Sequence, residues 1–259
     1  MILPASYGNG FAPRDGSPLY PELWRGCIFA AAPCIGPSGL TLRDWSGFCN
    51  HGTTSNASTW GPISGVMALN FTGSSSIDVG NITAFNFGTG QFSLSCWVLG
   101  GAADKIIAGK ANFAGSDNGV QIFTRSASGN PYAYWNGVAA QPIGANDGGW
   151  HHLCVTRAST SAGGLSVYYD GKLSLTATDA RTLSNSSSFR LAVSSDGSGF
   201  FNGSIGAVIV YRSQLRENLV RLLATRQGIA YELAPRRRSS ALVIAAFNRR
   251  RRLLLGAQS

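Results

Sequence analysis

The hydrophobic positions of this chain alternate with polar ones over short runs, and Gly, Asp and Asn punctuate them. Phe92-Ser93-Leu94-Ser95-Cys96-Trp97-Val98 is the cleanest case. Phe92, Leu94 and Cys96 fall on one side of an extended backbone, and Ser93, Ser95 and Trp97 on the other. Trp150–Thr156, Leu165–Lys172 and Phe201–Tyr211 are three more runs rich in β-branched and aromatic residues. Ile106–Lys110, Gly119–Phe123, Tyr132–Trp135 and Phe189–Val193 fill the intervals. Asp170-Gly171, between two alternating runs, predicts a hairpin turn with positive φ. Some twelve short strands at intervals of about 8–15 residues predict a two-sheet antiparallel sandwich.

The period changes after Arg212. Leu215, Leu219, Leu222 and Leu223 recur at helical spacing, and Gly228 reads as the stop. The chain therefore divides into an extended N-terminal arm (1–25), a sandwich (26–213), a helix packed on it (214–228) and a C-terminal tail (229–259). The arm carries Phe11, Tyr20 and Trp24, aromatics able to dock on the body or a neighbour.

Several motifs follow an order and spacing that resemble the laminin G-like members of the concanavalin A-like lectin/glucanase superfamily. Asp44-x-Ser46-Gly47-x-x-Asn50-His51-Gly52-Thr53 is similar to a segment near the start of such domains. Ala68-Leu69-Asn70-Phe71-Thr72-Gly73 with Asp78-x-x is similar to a hairpin of the family, and Phe92–Val98 and Trp150–Thr156 to two of its strands. The resemblance covers about residues 40–215. It implies an all-β jelly roll, concanavalin A-like, with a short C-terminal helix and extended termini, and a role in binding or display.

Charge changes the picture at one end only. The chain carries +9 overall, but Arg236, Arg237, Arg238, Arg249, Arg250, Arg251 and Arg252 all lie in the last 24 residues, which contain no acid. The body is close to neutral, and charged residues are 13% of the chain against about 25% in an average soluble domain. Between the arginine runs sits Ala241–Phe247, with Leu242, Ile244 and Phe247. This tail resembles the Arg-rich endings of laminin G-like proteins from phage and environmental sequences. Three readings are open for it: phosphate neutralisation on nucleic acid, contact with an acidic membrane surface, and docking of the apolar run on a partner while arginines meet carboxylates. The aliphatic insert favours docking. No stretch reaches the roughly 18 apolar residues of a membrane span.

The inventory argues against hydrolysis. Glucanases of this fold set two carboxylates on one strand, whereas Glu22, Glu217 and Glu232, the three glutamates, lie outside the predicted strands. His151-His152 reads as part of a structural strand, one ring inward and one toward solvent, and His51 as a maker of local hydrogen bonds. No cofactor is expected. The resemblance raises Ca²⁺ at a sheet rim, for which Asp117 and Asp196 would serve, but Gly203–Val208 lacks the acids that the family's last strand often carries. Glycan contacts would fall to Asn118, Tyr132, Tyr134, Trp135 and Asn136, a polar–aromatic cluster near loops. Five cysteines leave at least one thiol unpaired. A Cys27–Cys34 disulfide is one alternative, and no C-x-x-C pair suggests zinc.

The start of the chain has no basic segment followed by an apolar one. An extracellular type of fold without an export signal is the combination expected of a virion component, made in the host cytoplasm. The expectation is a non-enzymatic virion display protein of phage, partnered by other virion proteins or its own copies, with a host-surface glycan as a second ligand. The alternative is a cellular or extracellular carbohydrate-binding module with no role in assembly.

Overall fold

The computed structural model describes residues 14–35, 39–55, 58–101, 105–112, 118–124, 131–135, 138–142 and 147–235. In chain order the strands are β1 (Arg14–Pro18), β2 (Cys27–Ala31), β3 (Thr41–Leu42), β4 (Gly52–Ser55), β5 (Thr59–Ile63), β6 (Val66–Thr72), β7 (Ser76–Gly80), β8 (Phe92–Leu99) and β9 (Lys105–Gly109). They continue with β10 (Val120–Thr124), β11 (Pro131–Trp135), β12 (Val138–Pro142), β13 (Trp150–Arg157), β14 (Leu165–Tyr169), β15 (Lys172–Ala177), β16 (Phe189–Leu191) and β17 (Asn202–Tyr211). Helix α1 (Glu217–Leu223) and β18 (Leu233–Pro235) close the described chain. Among the described residues no helix is long and apolar enough to cross a membrane.

Two antiparallel sheets form the sandwich. One runs β12-β11-β10-β9-β16-β7-β4-β3, the other β15-β14-β13-β8-β17-β6-β5, with β2 also paired to β17. The fold is the predicted all-β two-sheet sandwich. The period-2 reading of β8 holds: Phe92, Leu94, Cys96 and Val98 enter the core between the sheets, beside Phe29, Phe71, Leu153, Val155 and Val208. Strand β17 supplies both faces. A bulge at Gly206-Ala207 shifts its register against β8 between Ile205 and Val208. Ile205, Val208 and Val210 therefore face the other sheet, and Ala207, Ile209 and Tyr211 the outer side.

Two expectations need correction. The run Ala68–Val79 is not a hairpin: β6 pairs with β17 and β5, while β7 pairs with β16 and β4, so the chain crosses between sheets at 73–75. Period 2 tells which side chains share a face, and it leaves open which strand is the neighbour. The helix ends at Leu223 rather than Gly228. Gly228 instead takes φ 78° and starts the 3-10 turn Ile229–Tyr231, where left-handed backbone suits glycine. The other side of β8 is covered too. Ser93 and Ser95 are buried because the segment 213–235 covers the outer face of their sheet.

This cover is a second core. Leu215, Val220, Leu223, Ile229 and Tyr231 pack on Cys154, Tyr168, Ile209 and Tyr211, joined by Leu23 from the N-terminal side. Ser93 Oγ donates to the Ser213 carbonyl (2.9 Å) and accepts from the Leu215 amide (2.8 Å), which fixes where the chain turns onto the sheet. Trp24 donates its ring N–H to the Ala230 carbonyl (2.8 Å) and meets Tyr231 edge-on. The stretch 229–235, grouped with the tail by sequence, thus lies on the body. β18 pairs antiparallel with β1, with Arg14 opposite Pro235.

Candidate functional site

The Asp44–Thr53 motif is built for structure. The buried Asp44 carboxylate accepts from the amides of Ala30, Ser46 and Asn50 (each 2.9 Å) and from Ser46 Oγ (2.8 Å). His51 Nδ1 accepts from the Asp44 amide (3.1 Å), the local bond expected of it, and Asn50 Nδ2 donates to the Ile28 carbonyl (3.0 Å). A carboxylate taking four donors pins the loop to β2 and leaves little of itself for a ligand.

The two adjacent histidines point to opposite faces of β13, but neither simply faces solvent. His152 lies fully buried under the C-terminal cover, its Nε2 2.8 Å from Ser95 Oγ, and burial pushes its pKa down to about 4. His151 sits at the strand end with only 13% of its side chain exposed, between Asp170 and Asp147, each 2.9 Å away. Burial works against its charged form, but bonds and charges from both carboxylates outweigh that and raise its pKa. Asp170 lies at φ 48° and Gly171 at φ 75°, the turn predicted from the Asp-Gly pair.

Polar and aromatic groups converge at one rim of the sandwich. Phe85, Phe87, Leu94, Leu183, Phe189 and Val210 form the floor of a cleft of about 340 Å³ counted to its open mouth. Asn86, Lys110, Asn118 and Asn185 ring it. The enclosed part holds about 10 Å³, the room of roughly one water, so a larger ligand would sit at the mouth. Lys110 is buried along its stem, and its Nζ donates to Asn86 Oδ1 (2.6 Å) and the Asn185 carbonyl (3.1 Å). Asn185 Nδ2 returns a bond to the Lys110 carbonyl (2.9 Å).

Arg157 fixes one wall of this cleft. It is fully buried at the end of β13 and donates to the carbonyls of Gly88 (2.6 Å), Gly90 (2.8 Å) and Arg181 (3.1 Å). Asp179, equally buried, lies 3.5 Å from Arg157 and 2.8 Å from Arg181. These bonds hold the segments on either side of the Gly88–Leu183 bridge, and so place Phe87 and Leu183.

Of the expected glycan residues, Asn118 is exposed at the cleft mouth. Tyr132, Tyr134 and Trp135 lie in β11, in register with Phe123, Gln121 and Val120; their side chains, and Asn136, are outside the described residues. Sequence reading missed Asn86, Lys110 and Asn185, which are far apart in the chain. The loop compositions Asn86-Phe87-Gly88 and Asn185-Ser186-Ser187 are the one local signal that could have marked two of them.

Of the two acids considered for Ca²⁺, Asp117 is outside the described residues. Asp196 closes a turn, accepting from Ser194 Oγ, Ser198 Oγ and the Ser198 amide. Among the described residues no three His, Cys, Asp or Glu side chains are grouped to hold a metal ion. The docking candidates Arg236, Arg237, Arg238, Leu242, Ile244, Phe247 and Arg249–Arg252 are outside the described residues. All five cysteines are free thiols, so the Cys27–Cys34 disulfide is not formed. Burial raises the pKa of Cys27 and Cys34 to about 12, which makes them inert.

The sandwich is similar to several solved structures. Domain 4 of AbnA, a GH43 extracellular arabinanase from Geobacillus stearothermophilus solved in complex with arabinotriose, is 17% identical with a TM-score of 0.59, over 77% of this chain and 98% of that one. Trypanosoma rangeli sialidase is 18% identical with a TM-score of 0.58, over 80% of this chain but 34% of the sialidase. The binding domain of Paraclostridial Mosquitocidal Protein 1 is 13% identical with a TM-score of 0.53, over 78% of this chain and 52% of that one. At such identities the likeness is one of fold. No curated protein matches the chain in sequence. A family model does match, over residues 71–221 and so across more than half of the chain: it belongs to the concanavalin A-like lectin/glucanases superfamily.

Proposed function

We propose that this protein is a non-catalytic carbohydrate-recognition domain that offers its rim cleft to a glycan while its two terminal segments hold it on a larger assembly. The observation that carries the reading is the cleft: amide groups of Asn86 and Asn118 beside the Lys110 ammonium, over an aromatic floor. Amides supply donors and acceptors to sugar hydroxyls, and the aromatic floor suits the C–H face of a sugar ring. The other obvious surface, the outer face of the β8–β17 sheet, is sealed by residues 213–235. The sugar-bound arabinanase domain of similar fold supports the ligand class.

Residue chemistry supports a binding role rather than hydrolysis. In the strands of the two sheets Asp78 is the one acid among the described residues. Its carboxylate is 3.0 Å from Arg190, and a retaining or inverting mechanism needs two carboxyl groups. The test is a glycan array followed by titration calorimetry. The Asn118→Ala variant, an exposed change, should bind the best hit about fivefold more weakly at unchanged melting temperature, one hydrogen bond of roughly 1 kcal/mol being at stake. A folded wild type that binds no glycan would overturn the reading.

Within that reading, we infer display on a virus particle, the docking tail serving as anchor. The support is that β1 pairs with β18, so Arg14 and Pro235, the two ends of the described chain, lie side by side. A density gradient of nuclease-treated source lysate tests this. Co-sedimentation with particles is expected, and recovery only among soluble proteins would leave the cellular carbohydrate-binding alternative.

A further inference from the structure

His151 is held in a way that a neutral ring cannot satisfy. A neutral imidazole carries one N–H and one bare nitrogen, and an ionised carboxylate only accepts. Yet Nδ1 lies 2.9 Å from Asp170 Oδ2, and Nε2 lies 2.9 Å from Asp147 Oδ1. Both contacts are hydrogen bonds only for the imidazolium. The ring also stacks on Tyr169, centroids 4.8 Å apart, a placement that favours a cation.

The two carboxylates belong to different parts of the fold. Asp170 is the first residue of the β14–β15 turn and is fixed there: its Oδ1 accepts from the His152 amide, and its own amide donates to the His152 carbonyl, both at 2.8 Å. Asp147 lies in the loop that enters β13 and is 65% exposed. Among the described residues that carboxylate otherwise accepts from backbone amides of its own loop, chiefly that of Gly149, 2.8 Å away. Among the described residues, His151 is thus the side chain that ties Asp147 to the sheet. The other charged groups near this turn are Lys172, beside Tyr169 in register and exposed, and Arg221, which packs by Gly171 and is paired with Glu217.

We propose that His151 is a proton-operated latch: as imidazolium it bridges the 147–149 loop to the β14–β15 turn, and loss of one proton releases the loop at Asp147. Asp170 keeps the remaining N–H because its geometry is set by its two bonds to His152, while Asp147 is the more exposed partner. The raised pKa of His151 agrees in direction, and so does the lowered one of Asp147, caused first by the Gly149 amide and then by His151. The latch is closed below the His151 midpoint and opens as pH rises through it. The sign is opposite to that of the acid opening expected when Asp147 itself is protonated.

The test combines a histidine titration by NMR with hydrogen–deuterium exchange of residues 147–152, corrected for the intrinsic rate. The wild-type ring should titrate above a free histidine, and protection of the loop should fall roughly twofold to fivefold across that midpoint, the range of a partly exposed ion pair. Asp147→Asn, an exposed change that keeps the acceptor for Gly149, should lower the midpoint and remove the pH step in protection. An unchanged midpoint in Asp147→Asn, or loop protection indifferent to the His151 titration, would overturn the latch.

Discussion

The two cores of this molecule are built differently. The core between the sheets is mainly aliphatic and aromatic, with Phe29, Phe71, Phe92 and Phe201 fully buried. The second core, between the outer face of the β8–β17 sheet and residues 213–235, mixes Leu215, Val220 and Leu223 with Cys27, Cys154, Tyr211 and Tyr231, and encloses Ser93, Ser95 and His152 as well. Non-directional burial can carry the first. In the second, the hydrogen bonds of Ser93, Ser95 and His152 make position matter as well as area. Tyr211 and Tyr231 show the same environment, their phenols raised well above the usual range by burial.

Neighbouring residues on β8 and β13 allow this contrast to be broken one core at a time. Phe92→Ala empties part of the inter-sheet core and should cost about 3–5 kcal/mol, read as a collapse of the urea midpoint with all probes moving together. His152 sharpens the second core through pH. Its pKa is depressed in the folded state, so the unfolded chain binds the extra proton and stability falls as pH drops from about 6.5 toward 4. The loss should approach about 3 kcal/mol, and His152→Gln should flatten that part of the profile in urea titrations run across the range. His151, next in the chain, has the reverse sign: its raised pKa adds stability below the free-histidine range and loses it as pH climbs. Ser93→Ala is the mildest change, about 1 kcal/mol from two bonds to the chain at 213–215. It should appear as faster amide exchange in 213–223, with β8 itself unaffected. Equal exchange in both segments would mean the two cores unfold as one.

How much of this was legible follows the same division. Alternation in Phe92–Val98 and Trp150–Thr156 reported which side chains share a face, and the Asp170-Gly171 pair reported its turn, because both signals are local. The leucine spacing after Arg212 announced a helix against the body. What it could not announce was that serines and a histidine, polar by composition, would be the surface it covers. Nor does alternation identify neighbours, which is why β6 and β7 read as a hairpin while lying in different sheets. The cleft was legible only at Asn118. Its other members, Asn86, Lys110 and Asn185, meet through strand order and the bonds of Arg157, and neither leaves a periodic trace.

The pairing of β1 with β18 has a consequence for how the gene can be cut. Residues in register on antiparallel strands have Cα atoms about 5 Å apart, and Arg14 and Pro235 are such partners. A linker of a few residues can therefore join them, and new ends can be opened at a surface turn such as Ser64-Gly65 between β5 and β6. In that permuted chain the sandwich keeps its strand neighbours, and its two ends move to another part of the body.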